Sequence, residues 1–432
     1  MIWNETMECM SRDEMRNMQS IRLKRVIERV YHNTLFYRKK MQEAGITPCD
    51  IQSIDDIVKL PFTVKQDLRD NYPFGLMATP MSEIVRLHAS SGTTGKPIVV
   101  GYTREDLNVW SEGVARCLTA YGLSKNDIIQ VSYGYGLFTG GLGVHSGTEN
   151  IGGTVIPMSS GNTQKQIQLM HDFHVNALAC TPSYALHLAE VVRESGIPIE
   201  EFQLRTGIFG AEPWAENMRK ELEDKLRIKA YDIYGLTEIS GPGVGGECEY
   251  QLGTHLWEDH FFPEIVDPET LLPVSPGEKG ELVFTTLTKE GMPMIRYRTR
   301  DLTSLHYETC KCGRTAVRMD RILARSDDML IIRGVNVFPS QVEAVILELP
   351  EFEPFYLLFI DRVDNMDTFL IHVELRQEYY SDEMSKMLAL KKKIATRLHA
   401  VLGLQPDIKI LEPRSIERSM GKAKHVFDNR KF

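Results

Sequence analysis

The chain has 432 residues, 42% of them hydrophobic and 25% charged, with seven cysteines and a formal net charge of −9. That length exceeds one compact core and implies two or more domains, and the acidic balance argues against a broad nucleic-acid surface, which calls for basic patches. No apolar run reaches membrane-spanning length, the acidic start (Glu5, Glu8, Asp13, Glu14) has no signal-peptide core, and an odd number of cysteines spread from Cys9 to Cys312 fits reduced thiols or a metal site, so a cytoplasmic chain without membrane or nucleic-acid partners is expected.

Ile21, Val26, Ile27, Val30 and Leu35 recur at helical spacing, which predicts an amphipathic helix over 17–40. Residues 60–68 read as a turn into a short helix with Thr63 as its cap. Then comes Ser90-Ser91-Gly92-Thr93-Thr94-Gly95-Lys96-Pro97 between two apolar runs. Its glycines let backbone amides turn inward, the hydroxyls of Ser91, Thr93 and Thr94 add donors, and Lys96 brings charge, a composition suited to a polyphosphate. The spacing GxxGK followed by Pro97 is not that of a Walker A loop, and an ordinary surface turn is the plain alternative.

A helix is expected over 105–120 and a buried strand over 128–131, which empties into Tyr133-Gly134-Tyr135-Gly136-Leu137-Phe138. Glycines alternating with aromatics let a backbone approach a ligand closely, as an aryl or acyl pocket needs, although the same rings could simply pack a glycine-rich crossover. Strand-like runs at 153–157, 177–180 and 206–210 alternate with helical patterns, which predicts βα units on a largely parallel sheet. Ligands gather at the carboxyl ends of such strands. That singles out Gly210, Ala211 and Glu212 after one strand and Asp232, Ile233, Tyr234, Gly235, Thr237 and Glu238 on and after the next. Glu238 beside the Thr237 hydroxyl would hold Mg2+ against phosphate oxygens.

Cys248, His255, Cys310 and Cys312 supply three thiols and an imidazole, a donor set for structural zinc, with His260 as an alternative fourth ligand and unrelated surface residues as the bland reading. Four protein ligands would leave no open position for catalysis. The stretch 276–286 looks antiparallel, and Asp301 sits where it could accept two ribose hydroxyls or, alternatively, an exposed salt bridge. The polar run 325–328 precedes a new apolar strand, so the domain boundary is set between a large domain, 1–326, and a small one, 327–432. In the latter, Ser340 is expected to cap a helix over 341–349 with Glu343 at its third position, followed by strands at 356–360 and 369–375 and a helix over 384–402. Lys422 stands in a glycine-bearing tail, where a lysine is ordinarily only solubilising. The fold class is α/β: a large N-terminal domain with mixed, largely parallel sheets and a β-rich subdomain, then a small mobile α+β C-terminal domain.

In this order the motifs resemble the adenylate-forming superfamily of acyl-CoA synthetases and, within it, the phenylacetate-CoA ligases. The resemblance covers essentially the whole chain and is carried by Leu60-Pro61-Phe62-Thr63-Val64-Lys65, the stretch 133–141 and the stretch 326–340. It implies that a carboxylate attacks the α-phosphorus of ATP to give an acyl-adenylate and pyrophosphate, and that the CoA thiol then displaces AMP. It also implies that Ser90, Ser91, Gly92, Thr93, Thr94, Gly95 and Lys96 hold the β and γ phosphates. Gly210, Ala211, Glu212, Asp232, Ile233, Tyr234 and Gly235 would line the adenine, Thr237 and Glu238 would bind phosphate and Mg2+, and Asp301 with Arg325 would hold the ribose. Lys422 would bridge the carboxylate and the α-phosphate from the small domain, with Asp327 as hinge and Arg333, Gly334 and Asn336 facing CoA. The acyl pocket would comprise Tyr133, Tyr135, Gly136, Phe138, Gly210 and Ala211. A homodimer is implied by the resemblance alone. Two departures are Ala324, where the family has glycine before the hinge arginine, and Met420 in place of a more polar residue. The competing expectations are a synthetase for another aryl or short-chain acid and a nucleotide-binding regulator without turnover, against which Lys96, Glu238, Asp301 and Lys422 stand.

Overall fold

A computed structural model of the protein describes every residue except 91–96, 323, 327, 334, 364–365, 382, 420–422 and 431–432, and the side chain of 363. Ser91, Gly92, Thr93, Thr94, Gly95, Lys96, Asp327, Gly334 and Lys422 therefore lie outside the described residues. The chain folds as two compact units, Met1–Cys180, Pro198–Ala211 and Lys229–Arg321 forming the first, Thr181–Ile197, Glu212–Ile228 and Ile322–Phe432 the second.

The first unit opens with α1 (Glu5–Glu8), α2 (Arg12–Asn33) and α3 (Leu35–Glu43). Ser11 caps α2 reciprocally with Glu14, and Leu23, Val26, Ile27 and Val30 bury one face at helical spacing. The single helix expected over 17–40 is two, because Thr34 takes extended backbone (φ −122°, ψ 114°). Helix α4 (Lys65–Asp70) is entered through Val64, whose N–H donates to Asp67 Oδ2 at 2.8 Å. Thr63 is no cap: it is buried and its hydroxyl donates to the Ile295 carbonyl at 2.7 Å.

Strands β1 (Arg86–Ala89) and β2 (Val99–Tyr102) pair antiparallel, and α5 (Arg104–Ala120) follows, capped by Thr103. Next come β3 (Ile128–Val131), α6 (Thr139–Asn150), β4 (Thr154–Ile156), α7 (Thr163–Asp172), β5 (Ala177–Cys180), β6 (Thr206–Phe209), β7 (Lys229–Leu236), β8 (Gly241–Gly246) and β9 (Thr254–Leu256). The unit closes with β10 (Phe261–Val266), β11 (Gly280–Thr286), β12 (Tyr297–Thr303), β13 (Leu305–His306) and β14 (Arg318–Met319). The main sheet runs β4-β3-β5-β6-β7-β8-β9-β14-β13, parallel from β4 to β7 and antiparallel beyond. Every residue of β5 and β6 is buried, as strands covered on both faces require. Strands β10, β11 and β12 pair antiparallel in that order.

The second unit contains α8 (Pro182–Ser195), α9 (Glu216–Leu226), β15 (Ala324–Arg325), the hairpin β16 (Leu330–Ile332) and β17 (Val335–Val337), and α10 (Pro339–Leu347). It continues with β18 (Phe352–Val363), β19 (Met366–Leu375), α11 (Met384–Leu402), β20 (Asp407–Leu411) and β21 (Val426–Asp428). The sheet order is β20-β19-β18-β21, an antiparallel centre with parallel strands on its flanks. Val342 and Ile346 of α10 and Ile394, Leu398 and Leu402 of α11, each a turn apart, pack on Leu358, Ile360, Phe369 and Ile371. Helix α10 starts earlier than expected. Pro339, lacking an N–H, takes the first position, and Gln341 Oε1 receives the Phe338 N–H at 2.9 Å, so Ser340 is not the cap and Glu343 is a buried residue of the helix body. No helix among the described residues is long and apolar enough to cross a membrane.

Candidate active site

The carboxyl ends of the parallel strands β3, β6 and β7 carry three groups of the residues singled out above. After β3, Tyr133 is buried and its hydroxyl donates to the Ile208 carbonyl at 3.5 Å. Tyr135 is half-buried, with its hydroxyl 3.2 Å from His145 Nδ1 on α6, and burial raises its pKa above that of a free phenol. Gly136 has φ +103°, open only to glycine at little cost. The Tyr135 ring lies against Gly141, where a Cβ would stand 3.0 Å from it, and the Phe138 ring lies against Gly140 in the same way. The glycines of α6 thus seat the rings, and Phe138 keeps 37% of its surface exposed.

Ser90, just past β1, exchanges backbone and side-chain hydrogen bonds with Ile98, its N–H donating to the Ile98 carbonyl at 2.9 Å. Gly210 follows β6, and a Cβ there would come within 2.4 Å of the Ile233 carbonyl on β7, so only glycine lets the two strand ends press together. Ala211 turns the chain with φ 71°. On β7 the Asp232 carbonyl receives the Tyr121 hydroxyl at 2.8 Å, and its N–H donates to Glu247 at 2.8 Å.

Two tyrosine–carboxylate pairs then join β7 to β12 reciprocally. Tyr234 of β7 donates to Asp301 Oδ2 of β12 at 2.6 Å, and Tyr297 of β12 donates to Glu238 Oε1, just past β7, at 3.2 Å. Both carboxylates are buried, and among the described residues Glu238 pairs with no basic side chain. A buried carboxylate so placed fits a cation, because neutral hydroxyl donors leave its charge available. The Thr237 hydroxyl lies 3.4 Å from that of Thr139. Asp301 is buried, not exposed as the alternative reading had it.

Tyr102, Tyr297 and Lys289 were not singled out from the sequence. Tyr102 and Lys289 hold the carbonyls of the turn bearing Thr237 and Glu238. For Tyr297 a signal existed, since Tyr297 precedes Asp301 by the same interval as Tyr234 precedes Glu238. For Lys289 none did: a lysine in a polar connection reads as solvated.

The remaining expected residues belong to the second unit. Glu212 Oε1 accepts the Ser183 N–H at 2.7 Å and Oε2 that of Ala423 at 3.4 Å. Arg325 lies 3.6 Å from Asp328 Oδ2. Arg333, in the β16–β17 turn with φ 52°, donates from Nε to the Asp367 carbonyl at 2.7 Å, and Asn336 on β17 is exposed.

A separate cluster in the first unit gathers Cys248, His255, Cys310 and Cys312, whose ligand atoms all lie within 4.8 Å of one another. Pairing of β14 with β9 sets His255 opposite Arg318 and so draws in the connection that carries Cys310 and Cys312. The Cys248 and Cys310 sulfurs are 3.8 Å apart, the edge expected of a tetrahedron with metal–sulfur bonds of about 2.3 Å. His255 Nδ1 lies 3.4 Å from the Ala316 carbonyl, and Nε2 faces Cys312 Sγ at 3.5 Å, so donation to the carbonyl leaves Nε2 as a ligand. A hydrogen bond from Cys248 lowers the pKa of the Cys312 thiol, with His255 and Arg314 adding to the effect. His260 is committed elsewhere, with Nε2 3.1 Å from Asp259 and Nδ1 2.9 Å from Thr288 Oγ1. The donor set fits zinc.

The AMP-binding enzyme family profile matches residues 41–288, and that of the AMP-binding enzyme C-terminal domain matches 334–430. The phenylacetate-coenzyme A ligase of Thermus thermophilus is 48% identical, with 100% of both chains covered. That of Escherichia coli is 50% identical over 99% of this chain and 97% of its own. A solved 2-hydroxyisobutyryl-CoA ligase, in complex with 2-HIB-AMP in the postadenylation state, superposes with a TM-score of 0.92 at 29% identity, covering 98% of this chain and 92% of that one.

Proposed function

The chain belongs to the AMP-binding enzyme family, among the phenylacetate-CoA ligases, and from that premise we propose that it joins phenylacetate, or a close arylacetate, to CoA through an acyl-adenylate. A substrate carboxylate oxygen bonds to the α-phosphorus of ATP as the bond to the β-phosphate oxygen breaks, and pyrophosphate leaves. The CoA sulfur then bonds to the acyl carbon, its proton is lost, and the C–O bond to AMP breaks.

The observation that carries this reading is the reciprocal pairing of Tyr234 with Asp301 and Tyr297 with Glu238. It presents two acceptors, one suited to ribose hydroxyls and one to a cation on phosphate, at the carboxyl end of a parallel sheet. Mg2+ held by Glu238 and Thr237 would neutralise phosphate charge as it develops. Residues 90–96 would hold the β and γ phosphates, Gly210 to Glu212 and Asp232 to Gly235 the adenine, and Arg325 would assist at the ribose. Tyr133, Tyr135, Gly136 and Phe138 would line the acyl pocket with Gly210 and Ala211. Arg333, Gly334 and Asn336 would meet CoA.

Lys422 would stabilise charge on the α-phosphate during adenylation from a small domain, 327–432, that swivels at Asp327 against a large domain, 1–326. The cysteine cluster would carry a structural zinc, since four protein ligands leave no position for substrate. A cytoplasmic homodimer completes the reading.

The decisive experiment follows pyrophosphate release from ATP and phenylacetate without CoA, across a panel of carboxylic acids. Release with phenylacetate is expected, and release with none of the acids overturns the reading. In the same assay Lys422→Ala should lower adenylation by ~10²–10³, as loss of a positioned charge-stabilising donor does.

A further inference from the structure

The backbone of the turn bearing Thr237 and Glu238 is itself bound on its far side. Its four consecutive carbonyls, from residue 237 to residue 240, lie within hydrogen-bond reach of two side chains that the chemistry above does not use. The Tyr102 hydroxyl lies 3.5 Å from the Thr237 carbonyl and 3.3 Å from that of Ser240. The Lys289 ammonium donates to the Glu238 carbonyl at 3.1 Å and to the Ile239 carbonyl at 2.7 Å. It also stands 4.9 Å over the Tyr102 ring, so lysine, ring and carbonyls form one assembly.

Lys289 is an expensive residue to keep there. It is buried, and among the described residues it pairs with no carboxylate. Burial lowers its pKa to about 8, with Asp106 and Glu238 opposing the shift from a distance. The Asp106 carboxylate is already occupied by the N–H groups of Thr103, Glu290 and Gly291. An apolar side chain would fill the space without the desolvation cost but could not draw two carbonyls to one point. Tyr102, for its part, ends β2, the strand that leads out of residues 90–98. The assembly therefore fastens β2 to the turn after β7.

We propose that Lys289 and Tyr102 form a carbonyl clamp that positions Thr237 and Glu238 for the phosphates and Mg2+ of the bound nucleotide, an inference that rests on the role given to that turn above. With its four carbonyls gathered to one side, the turn presents the Thr237 hydroxyl to Thr139 and the Glu238 carboxylate to Tyr297. Neither clamp residue touches substrate in this scheme. Both act through the turn.

The test compares wild type with Lys289→Met and Tyr102→Phe in the two half-reactions. Pyrophosphate release is measured against MgATP concentration, and thioester formation is measured from supplied phenylacetyl-adenylate and CoA, which needs neither ATP nor the metal. Lys289→Met should lower kcat/KM for MgATP in adenylation by about tenfold or more, and Tyr102→Phe, which removes one oxygen, by about threefold. Thioester formation should stay within about twofold of wild type in both. A parallel fall of both half-reactions would mark a general loss of structure and overturn the proposal, as would adenylation within about twofold of wild type in Lys289→Met. Wild-type pyrophosphate release separately decides the enzymatic reading. Were it absent with every acid, calorimetry of MgATP binding would still judge the clamp: about tenfold weaker binding by Lys289→Met supports it and equal binding sinks it.

Discussion

The carboxylates between β7 and β12 and the thiol cluster around His255 are both buried polar sets, built on opposite plans. Glu238 and Asp301 each take a hydroxyl from a tyrosine on the neighbouring element, a neutral donor that orients a carboxylate. The sulfurs and imidazole of the cluster face one another across a gap sized for one ion, and Arg314, locked to Glu8 at 2.6 Å, closes on Cys312 from behind. On the roles proposed above, the first set would take up and release a charged guest between stiff acceptors. The second would keep its ion for the life of the fold, with every ligand turned inward.

The largest expected effect tests the available side. Asp301→Ala should remove the two charge-assisted hydrogen bonds proposed to the ribose and lower kcat/KM for ATP by ~10²–10⁴-fold, at about 1.5–3 kcal/mol per bond. Unchanged ATP kinetics would erase the distinction between the two sets. Cys312→Ser tests the closed side: metal content should fall from about one equivalent to near zero and Tm by roughly 5 °C, while turnover at 25 °C stays within about threefold. A large loss of turnover in the still-folded variant would show that the cluster is not merely structural.

The smallest effect sharpens the comparison with a buried carboxyl that belongs to neither plan. Glu343 accepts the Tyr356 hydroxyl at 3.3 Å, and its pKa is pushed up to about 7 by burial and then by Glu212. The native state then holds this proton more tightly than the unfolded chain does. Stability is full below about pH 4.5 and declines as pH climbs through about 7. Glu343→Gln should flatten that decline in Tm–pH profiles and add ~1–3 kcal/mol at pH 8. A profile identical to wild type would show that the carboxyl ionises without penalty.

Much of this was legible because the signals were local. Alternation of short apolar runs with helical patterns marked the parallel strands, and α11 falls on the residues its periodicity indicated, Met384–Leu402. The thiols and imidazole were legible as donor types despite their sequence distance, but the choice of His255 over His260 needed the pairing of β9 with β14. What stayed hidden was set by tertiary partners. Thr63 looks like a helix cap yet spends its hydroxyl on Ile295, Ser340 yields the helix start to Pro339, and Thr34 breaks a helix that periodicity alone carries through. Lys289 is the extreme case, since its neighbours in sequence give no hint that its ammonium would be enclosed.

The crossed tyrosines fix a distance as well as a charge. A single fastening between two strands would leave a pivot, whereas two fastenings four residues apart, running in opposite senses, remove it. Glu238 and Asp301 are therefore spaced like the jaws of a caliper set once during folding. A ligand that contacts both, as the nucleotide proposed above would, must match that span.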